Sequence, residues 1–527
     1  MPSKLTLFHA LVTGWLYLTL PADVVRAFDN TRFDNVSFAH HAGYWGQNSY
    51  GATHTDTANF QKPLSQYCQD DAIDVIPIAF VTTFFGTGGL PVLNLANTCN
   101  NVDNATFPGT GLADCSAMAS DIEFCQSKGK VVTLSLGGAG GGVGFSGDDQ
   151  AVAFADTIWN LFLGGSSSTR PFGDAVLDGI DLDIEGGSGT GYVAFVNQIR
   201  SHAASSGKTY YVTAAPQCVY PDASLGTVLN SASFDAVYVQ FYNNPCGLQN
   251  FNTASQWNYG IWDNWARTIS PNSNVKIYIG APASSTAAGG GYQDLDTLTS
   301  IAVQMRKSFP SFGGVMLWDA SQAVANDEYD LGIKNALVAA GGTGFTFPAC
   351  SAPAFVQGTS YTGELLSETR GLRPEAKWFS NAEPTNNPNS DWSAISACEG
   401  TAASPSPTSA PSGSCAGVPD WTSTAIFTGS EQAVYKWAEL LRAYMECSND
   451  NLSGHLWTAQ WWTQGDIPGG SAGVWIDDGA CASTAAKAKA TSASAKTTDN
   501  SPFVPSNTVV RRRETIHAAT LVPAVLG

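Results

Sequence analysis

The sequence predicts an α/β protein built on a (β/α)8 (TIM) barrel, followed by small disulfide-stapled β-type C-terminal modules. Eight short apolar runs rich in β-forming residues recur between residues 36 and 320, and the gaps between them are long enough for helices. Such runs are typical of parallel strands buried on both faces. A doubly wound open sheet is the alternative, but no Gly-rich nucleotide loop accompanies the runs. The runs are VSFAHHAGYWG, IDVIPIAFVTTF, KVVTLSLGG, AVLDGIDLDIE, TYYVTAAPQ, FDAVYVQFYNN, NVKIYIGAPAS and FGGVMLWDA.

The first 27 residues have the pattern of a secretory signal peptide. Lys4 precedes an apolar stretch that ends at Leu20, and Val25 and Ala27 suit a cleavage site after Ala27. A membrane anchor is the alternative, although this stretch is short for a span. The sequence therefore predicts a protein that is secreted, extracellular or in the cell wall. In that setting its eleven cysteines are disulfide candidates.

Four acids interrupt the fourth apolar run, which reads DAVLDGIDLDIEGG at residues 174–187. Because side chains alternate along a strand, Asp181, Asp183 and Glu185 share one face and are expected to point into the barrel. Asp178 falls on the other face of the strand, so the alternation of side chains does not explain its role. Carboxyls this close in a low-dielectric interior cannot all ionise freely, so at least one pKa rises. The outermost acid, Glu185, is thereby predicted to keep its proton near neutral pH and to act as a proton donor.

Two structural alternatives to an acid–base site are a salt-bridged strand and a Ca²⁺-binding strand end. Oxygen-rich sites bind hard cations, but a strand sets these acids in a line rather than around an ion. We therefore predict no metal and no cofactor at this position.

Polar side chains of the sixth run also share a face. Tyr238, Gln240 and Tyr242 alternate in YVQFY, so Gln240 and Tyr242 can both point inward. Considered singly, a Tyr or Trp in a barrel strand is core packing more often than a ligand contact. Gly137 and Gly138, considered singly, would be a strand-end turn.

An internal repeat marks the region after residue 348. Trp378 and Trp392 are 14 residues apart, as are Trp461 and Trp475, and a cysteine follows the first tryptophan of each pair by 20 residues. A Pro/Ser/Thr-rich linker separates the two copies. The predicted divisions are a signal peptide (1–27), the barrel (28–348), a first module (349–398), the linker (399–414), a second module (415–481) and a low-complexity disordered tail (482–527). A lipid anchor at the end of the tail is weakly supported.

The overall charge restricts the partners. A formal net charge of −19 and a pI near 4.6 argue against nucleic acid. A neutral polymer or a small neutral substrate fits better, and no motif indicates an obligatory protein partner. Asn35, Asn104 and Asn451 lie in sequons and are candidate glycan sites.

Several of these motifs together resemble one family. DGIDLDIE, which ends at Glu185, is similar to the acidic signature of family 18 glycoside hydrolases, and SLGG at residues 135–138 is similar to their second signature. YWGQN, TAAPQC, VQFYNNPC and LWDAS follow the pattern of the plant and fungal class III chitinases. The resemblance covers roughly residues 36–320 and implies a secreted, endo-acting chitinase that hydrolyses β-1,4-linked N-acetylglucosamine polymers with retention of configuration.

The resemblance also implies roles for individual residues. Glu185 corresponds to the general acid, and Asp183 to the carboxylate that orients the substrate's own 2-acetamido group. Tyr242 corresponds to the tyrosine that holds this group for attack on the anomeric carbon, so no enzymic nucleophile is needed. Asp181 belongs to the same acidic signature and is expected among the catalytic residues. Substrate contacts are implied at Tyr44, Gln240, Trp318 and Gly138.

The cysteines and the repeats fit the same picture. Similarity to class III enzymes implies the pairs Cys68–Cys125, Cys99–Cys115 and Cys218–Cys246. Cys350–Cys398 and Cys415–Cys481 would then bracket the two repeats and leave Cys447 over. The repeats resemble chitin-binding modules of families 5 and 12, which implies sugar stacking on exposed aromatic rings. Those rings are Trp461 and Trp462 in the second copy, and Trp378 and Phe379 in the degenerate first copy.

Two other functions remain compatible with the sequence. An endo-β-N-acetylglucosaminidase acting on N-glycans could use the same acids, although chitin-binding repeats disfavour it. A catalytically inactive barrel could bind chitin as a lectin, but the presence of both Asp183 and Glu185 disfavours that interpretation.

Overall fold

The computed structural model describes residues 40–140, 142–341 and 344–349, parts of 352–399, and short segments between 419 and 480. Within these residues eight parallel strands close into a barrel, because the first strand pairs with both the second and the eighth. The predicted (β/α)8 fold is confirmed, and each of the eight apolar runs contains one barrel strand. The strands are β1 (His40–Gly43), β2 (Val75–Thr83), β3 (Val131–Gly137), β4 (Gly179–Asp183), β5 (Tyr211–Ala214), β6 (Ala236–Gln240), β7 (Lys276–Pro282) and β8 (Phe312–Trp318).

Helices follow the strands and cover the barrel. They are α1 (Ser49–Thr53), α2 (Ala119–Ser127), α3 (Asp148–Phe162), α4 (Tyr192–Ser206), α5 (Gly226–Ser231), α6 (Tyr259–Thr268), α7 (Leu295–Ser308), α8 (Ala320–Ala325) and α9 (Tyr329–Ala339). Single 3-10 turns occur at Thr57–Asn59, Leu64–Cys68, Thr87–Gly89, Ser116–Met118 and Leu248–Asn250. The loop after β2 adds short antiparallel strands at Val92–Leu95 and Cys99–Asn100. Among the described residues, none of the helices combines the length and apolar character needed to span a bilayer.

Apolar side chains fill the space on both sides of the strands. Ile180 and Leu182 of β4 belong to the outer layer, together with helix residues such as Phe195. Tyr238 and Met316 belong to a separate layer inside the barrel. Both faces of the sheet are therefore covered, which explains why the strand sequences are apolar throughout rather than alternating.

Asp178 has a structural role that its parity in the strand did not reveal. It lies immediately before β4, where its carboxylate accepts hydrogen bonds from the Val132 N–H and the Gln126 side chain, both at 2.9 Å. The Lys208 ammonium lies 2.9 Å from the other carboxylate oxygen. Asp178 therefore fixes the beginning of β4 against β3, at the end of the strand opposite to Asp183.

The disulfides of the barrel have the pairing that the resemblance implies. They join Cys68 to Cys125, Cys99 to Cys115, and Cys218 to Cys246. The third bond ties the loop after β5 to the loop after β6. Cys398 is also disulfide-bonded. Cys350, Cys415, Cys447 and Cys481 lie outside the described residues, so the two pairings expected for the repeats stay predictions.

Both copies of the sequence repeat contain the same strand pairing. Leu372–Ala376 pairs antiparallel with Trp392–Ala397, and His455–Ala459 pairs in the same way with Trp475–Ala480. Every pair of facing residues in one copy has its counterpart 83 residues further on, and so does the break in register along the ladder. The second copy adds Gln432–Tyr435 as a third strand of this sheet, and Ile426–Phe427 pairs with Thr463–Gln464. The duplication therefore preserves strand register as well as sequence spacing.

The chain divides into two compact units, residues 1–404 and 405–527, and the boundary falls within the predicted linker. The first repeat thus belongs to the same unit as the barrel. Its Ser393 hydroxyl donates a hydrogen bond to the Trp257 carbonyl at 3.3 Å. Gly260 of α6 lies so close to Ala394 that an added Cβ would be 2.0 Å from the Ala394 carbonyl oxygen. This close approach depends on glycine at position 260.

The contact between α6 and the first repeat predicts an unusual response to Gly260→Ala. In a free helix this change adds roughly 1 kcal/mol of stability. Here the new methyl would collide with a backbone oxygen, so we expect a net loss of about 1–3 kcal/mol. The measurement is urea denaturation of the full chain. Gly147→Ala is the control, because an added Cβ there meets nothing within 4 Å. Unchanged or increased stability of Gly260→Ala would contradict the docked arrangement.

Candidate active site

A cavity of 430 Å³ opens at the carboxyl ends of the barrel strands. It is lined by Gln47, Phe80, Thr82, Gly137, Gly138, Ala139, Gly140, Asp183, Glu185, Gln240, Tyr242, Asn243, Ala287, Ala288 and Trp318. These residues come from five strands or the loops that follow them, and from the loops after β1 and β7. This end of a (β/α)8 barrel is where its active sites lie, because the βα loops converge there.

Asp181 lies in the barrel interior below the cavity and is held by three hydroxyl groups. Ser135 and Thr213 donate from the flanking strands β3 and β5 at 2.6 and 2.7 Å, and the Tyr44 hydroxyl donates at 2.7 Å. Burial raises the pKa of Asp181, while the three hydrogen bonds oppose that rise. Tyr44, predicted to contact substrate, lies buried in the barrel with its hydroxyl on Asp181. Its contact with substrate stays a prediction.

Asp183 is the buried carboxyl that faces the cavity. It lies two residues beyond Asp181 on the same face of β4, and Gln240 donates a hydrogen bond to it at 3.0 Å. Burial raises its pKa well above the usual range, and the neighbouring charges of Glu185 and Asp181 raise it further. An ionised Asp183 is therefore costly unless a positive charge or a hydrogen-bond donor enters the cavity.

Glu185 lies two residues beyond the end of β4, at the mouth of the cavity, where it is exposed on one side. Gln217 donates a hydrogen bond to its carboxylate at 3.3 Å. Partial burial raises the pKa of Glu185, and the negative charge of Asp222 adds to the rise. The structure thus raises the pKa of all three acids in the row, and most strongly that of the buried Asp183. Glu185 combines a raised pKa with access to solvent and to a ligand.

Tyr242 provides a hydrogen-bond donor close to the two acids that line the cavity. Its side chain is almost fully buried yet lines the cavity beside Asp183 and Glu185. Burial and the two nearby carboxyls raise the pKa of Tyr242 well above its usual value, so its hydroxyl stays protonated and can donate to an oxygen or nitrogen of a ligand.

Aromatic rings form the floor of the cavity. Trp318, at the end of β8, stacks with Phe80 of β2 at a centroid distance of 5.8 Å and an interplanar angle of 16°. Gly138 has φ +82°, and an added Cβ there would lie 2.9 Å from the Phe80 ring. An added Cβ at Gly137 would lie 2.2 Å from the Asp183 carbonyl oxygen. These two glycines therefore permit the close approach of β3 to β4 and to the floor.

Several residues at the site were not singled out from the sequence. Phe80 lies in an apolar strand where nothing distinguishes it from core residues. Gln47 and Gln217 belong to the motifs YWGQN and TAAPQC, so their signal was present in the resemblance. Asn244 donates a hydrogen bond to the Gln217 side chain and so supports the group that contacts Glu185.

The aromatic residues predicted to bind sugar in the repeats have different positions. Trp378 and Phe379 are 51% and 64% exposed, and the Trp378 indole N–H donates to Asp391 at 2.8 Å. Trp392 is buried in the core of the first repeat with Tyr361. Trp461 and Trp462 lie outside the described residues.

Fold and site together define a (β/α)8-barrel protein with a carboxyl-centred cavity at the carboxyl ends of its strands. The chain belongs to the glycosyl hydrolases family 18, whose family model matches residues 40–296. A class III chitinase of Arthroderma benhamiae is 46% identical over 278 residues, which is 51% of this chain and 83% of that protein.

Other proteins are similar to a comparable share of the chain. Chitinase 2 of Rhizopus oligosporus is 51% identical over 300 residues, covering 57% of this chain and 52% of that protein. The chain thus spans about half the length of this curated relative. A crystal structure of the chitinase ICChI from Ipomoea carnea is 37% identical, covers 56% of this chain and 99% of that one, and has a TM-score of 0.47.

The raised pKa of Asp183 predicts that Asp183→Asn stabilises the protein at neutral and alkaline pH. The carboxyl has a pKa of about 3.9 when unfolded. A higher folded pKa means that stability falls as the pH rises from about 4 through the folded value. Asparagine cannot ionise, so the variant should melt at a higher temperature than the parent at pH 8, and the difference should shrink towards pH 4.

Asp178→Asn is the control for this experiment. It removes the ion pair with Lys208, so it should lower the melting temperature at pH 8. If Asp183→Asn also melts lower than the parent at pH 8, the charge of Asp183 is not destabilising the fold.

Proposed function

We propose that this chain is a secreted, endo-acting chitinase that hydrolyses β-1,4-linked N-acetylglucosamine polymers. The observation that carries the proposal is a cavity lined by Asp183, Glu185, Tyr242 and the aromatic ring of Trp318, with Asp181 held beneath Asp183. Family membership and the chitinase relatives support it. The negative net charge suits a neutral polymer. The apolar segment at residues 1–27 supports secretion.

In the proposed mechanism Glu185 is the general acid. Its raised pKa keeps the proton available, and its place at the mouth of the cavity gives it access to a glycosidic oxygen. Protonation lets the bond between that oxygen and the anomeric carbon break. The released saccharide carries away the proton and the bonding electron pair.

The substrate supplies the nucleophile. The carbonyl oxygen of its 2-acetamido group attacks the anomeric carbon and forms a cyclic oxazolinium-like intermediate. Asp183 accepts a hydrogen bond from the acetamido N–H and stabilises the developing positive charge, which offsets the cost of ionising this buried carboxyl. Tyr242 donates to the acetamido oxygen and orients it. Water then opens the ring while Glu185 takes its proton, so the configuration is retained.

Other residues hold these groups in place. Gln240 donates a hydrogen bond to Asp183 on the cavity side of β4, and the Tyr44 hydroxyl donates one to Asp181 below it. Trp318 offers a flat apolar surface to the sugar ring bound at the reacting position. Gly138 leaves room for the Phe80 ring beside it.

The repeats are proposed to bind chitin. Trp378 and Phe379 present exposed rings beside the barrel. The equivalent positions of the second copy carry Trp461 and Trp462. Stacking on sugar faces needs flat exposed rings and little charge. The second copy would raise the local concentration of enzyme at an insoluble substrate without changing the chemical barrier.

The variant Glu185→Gln tests the proposed role of the general acid. Glutamine keeps the size and hydrogen bonding of Glu185 but has no transferable proton, so turnover of chitin oligomers should fall by at least about a hundredfold. Oligomer binding should persist, as measured by calorimetry.

A substrate comparison tests the parent enzyme. It should cleave chitin oligomers well and high-mannose glycoprotein poorly. The reverse preference would favour an N-glycan endoglycosidase, and a fully inactive parent that still binds chitin would favour a lectin.

Substrate assistance makes a prediction about the substrate itself. Where glucosamine occupies the reacting position, no acetamido group is present, so chitosan should be cleaved only after N-acetylated units. The first product should be the β-anomer, followed by NMR before mutarotation. Efficient cleavage after glucosamine, or an initial α-anomer, would rule out this mechanism while leaving hydrolysis itself intact.

A further inference from the structure

A second pocket lies outside the catalytic cavity, where the first repeat meets the barrel. It has a volume of 300 Å³, at the lower end of the range for small-molecule sites. Val219 and Pro245 line it from the loops after β5 and β6, Ser255 and Gln256 from the segment before α6, and Lys377 from the repeat. Ten of the twelve lining residues belong to the barrel, and Lys377 and Ser393 of the repeat complete the pocket.

This pocket is separated from the catalytic cavity by a single wall. Gln217, which contacts Glu185, is two residues from Val219, and Asn244 is directly followed by Pro245. The Cys218–Cys246 disulfide joins the two loops of the wall. One pocket therefore lies on each side of the same covalently tied pair of loops.

The packing of the repeat holds the outer pocket in shape. Gly260 and Ala394 approach too closely for a side chain to intervene, and Ser393 is hydrogen-bonded to the Trp257 carbonyl. The Trp378 indole is fixed by Asp391, immediately beside Lys377. The ammonium of Lys377, which lines the pocket, lies 5.8 Å from the centroid of the exposed Trp378 ring, so this ring stands at the lip of the pocket.

The lining indicates a neutral, hydrogen-bonding ligand. Of the twelve lining residues only Lys377 is charged, whereas the catalytic cavity carries two acids. The Trp257 indole N–H and the Asn258 side-chain oxygen are buried without a hydrogen-bond partner among the described residues. A wall of aromatic and neutral polar groups beside an exposed ring is the chemistry that recognises a sugar.

We propose that this outer pocket, with Trp378 at its lip, is an accessory binding site for one or two units of an N-acetylglucosamine chain. The inference rests on the proposed function for the identity of the sugar. The site takes no part in bond cleavage. It holds a second segment of the polymer against the same wall that carries Gln217 and Asn244.

The test uses the full chain with Glu185→Gln, so that the ligand is not consumed. Tetra-N-acetylchitotetraose is titrated by calorimetry into this parent and into the same chain carrying Ser255→Leu, which places a branched apolar side chain at the exposed rim of the pocket. We expect Ser255→Leu to bind one oligomer fewer than the parent. Gln256→Ala should weaken the same binding event about tenfold, and Trp378→Ala should weaken it as well.

Ser127→Leu is the matched control, because Ser127 is exposed near the opposite end of the barrel. It should leave the stoichiometry unchanged. In chains that keep Glu185, Ser255→Leu should hydrolyse soluble oligomers within about twofold of the parent rate, which shows that the variant is folded.

Equal stoichiometry for the parent and Ser255→Leu would overturn the accessory site while leaving the catalytic site intact. Loss of the same binding event in Ser127→Leu would overturn it too. A parent that binds no oligomer, and whose Glu185 form hydrolyses none, would instead overturn the proposed function and with it the accessory site.

Discussion

The burial of a row of carboxyl groups inside a closed barrel is the constraint on which the rest of this structure depends. Asp181 can be buried only because hydroxyls from β3, β5 and the loop after β1 surround it. Each donor reaches Asp181 only if its own segment is in register with β4. The hydrogen bonds of this one acid therefore depend on the relative positions of β3, β4, β5 and the loop after β1. Asp183 has a single side-chain donor in Gln240 and is therefore the least stabilised charge of the row. A ligand that supplies a donor there completes what the protein leaves unsatisfied.

The sequence predicts the barrel well because its signals are local. A strand buried on both faces is apolar along its length, and all eight runs are visible without any knowledge of their partners. The acids of β4 share a face because alternation along a strand is geometric. For the same reason the sequence predicts that Gln240 faces inward, and the structure places it within hydrogen-bond distance of Asp183. The strand pairing of the repeats agrees with the spacing of their tryptophans, since equal spacing imposes an equal register.

Features that depend on contacts between distant segments could not be predicted in this way. Phe80 has the local sequence of a core residue, and only its distance to Trp318 shows that it forms the floor. Tyr44 has a motif that suggests a ligand contact, and only its depth in the barrel shows that it is a partner of Asp181. The docking of the first repeat depends on Gly260 and Ala394, two residues without any distinguishing pattern. In each case the deciding quantity is a distance between segments far apart in sequence.

The disulfide between Cys218 and Cys246 covalently links the loop after β5 to the loop after β6. On one side of these loops Gln217 contacts Glu185 and is itself hydrogen-bonded by Asn244, and on the other side Val219 and Pro245 line the outer pocket. The disulfide-linked loops are therefore the segment through which binding in one cavity can affect binding in the other. Thermodynamic linkage makes any such effect reciprocal. If a ligand in the outer pocket changes the affinity of the catalytic cavity by some factor, a ligand in the catalytic cavity changes the affinity of the outer pocket by the same factor. Reduction of this disulfide would remove the covalent tie between the two loops while leaving every residue of both pockets in place.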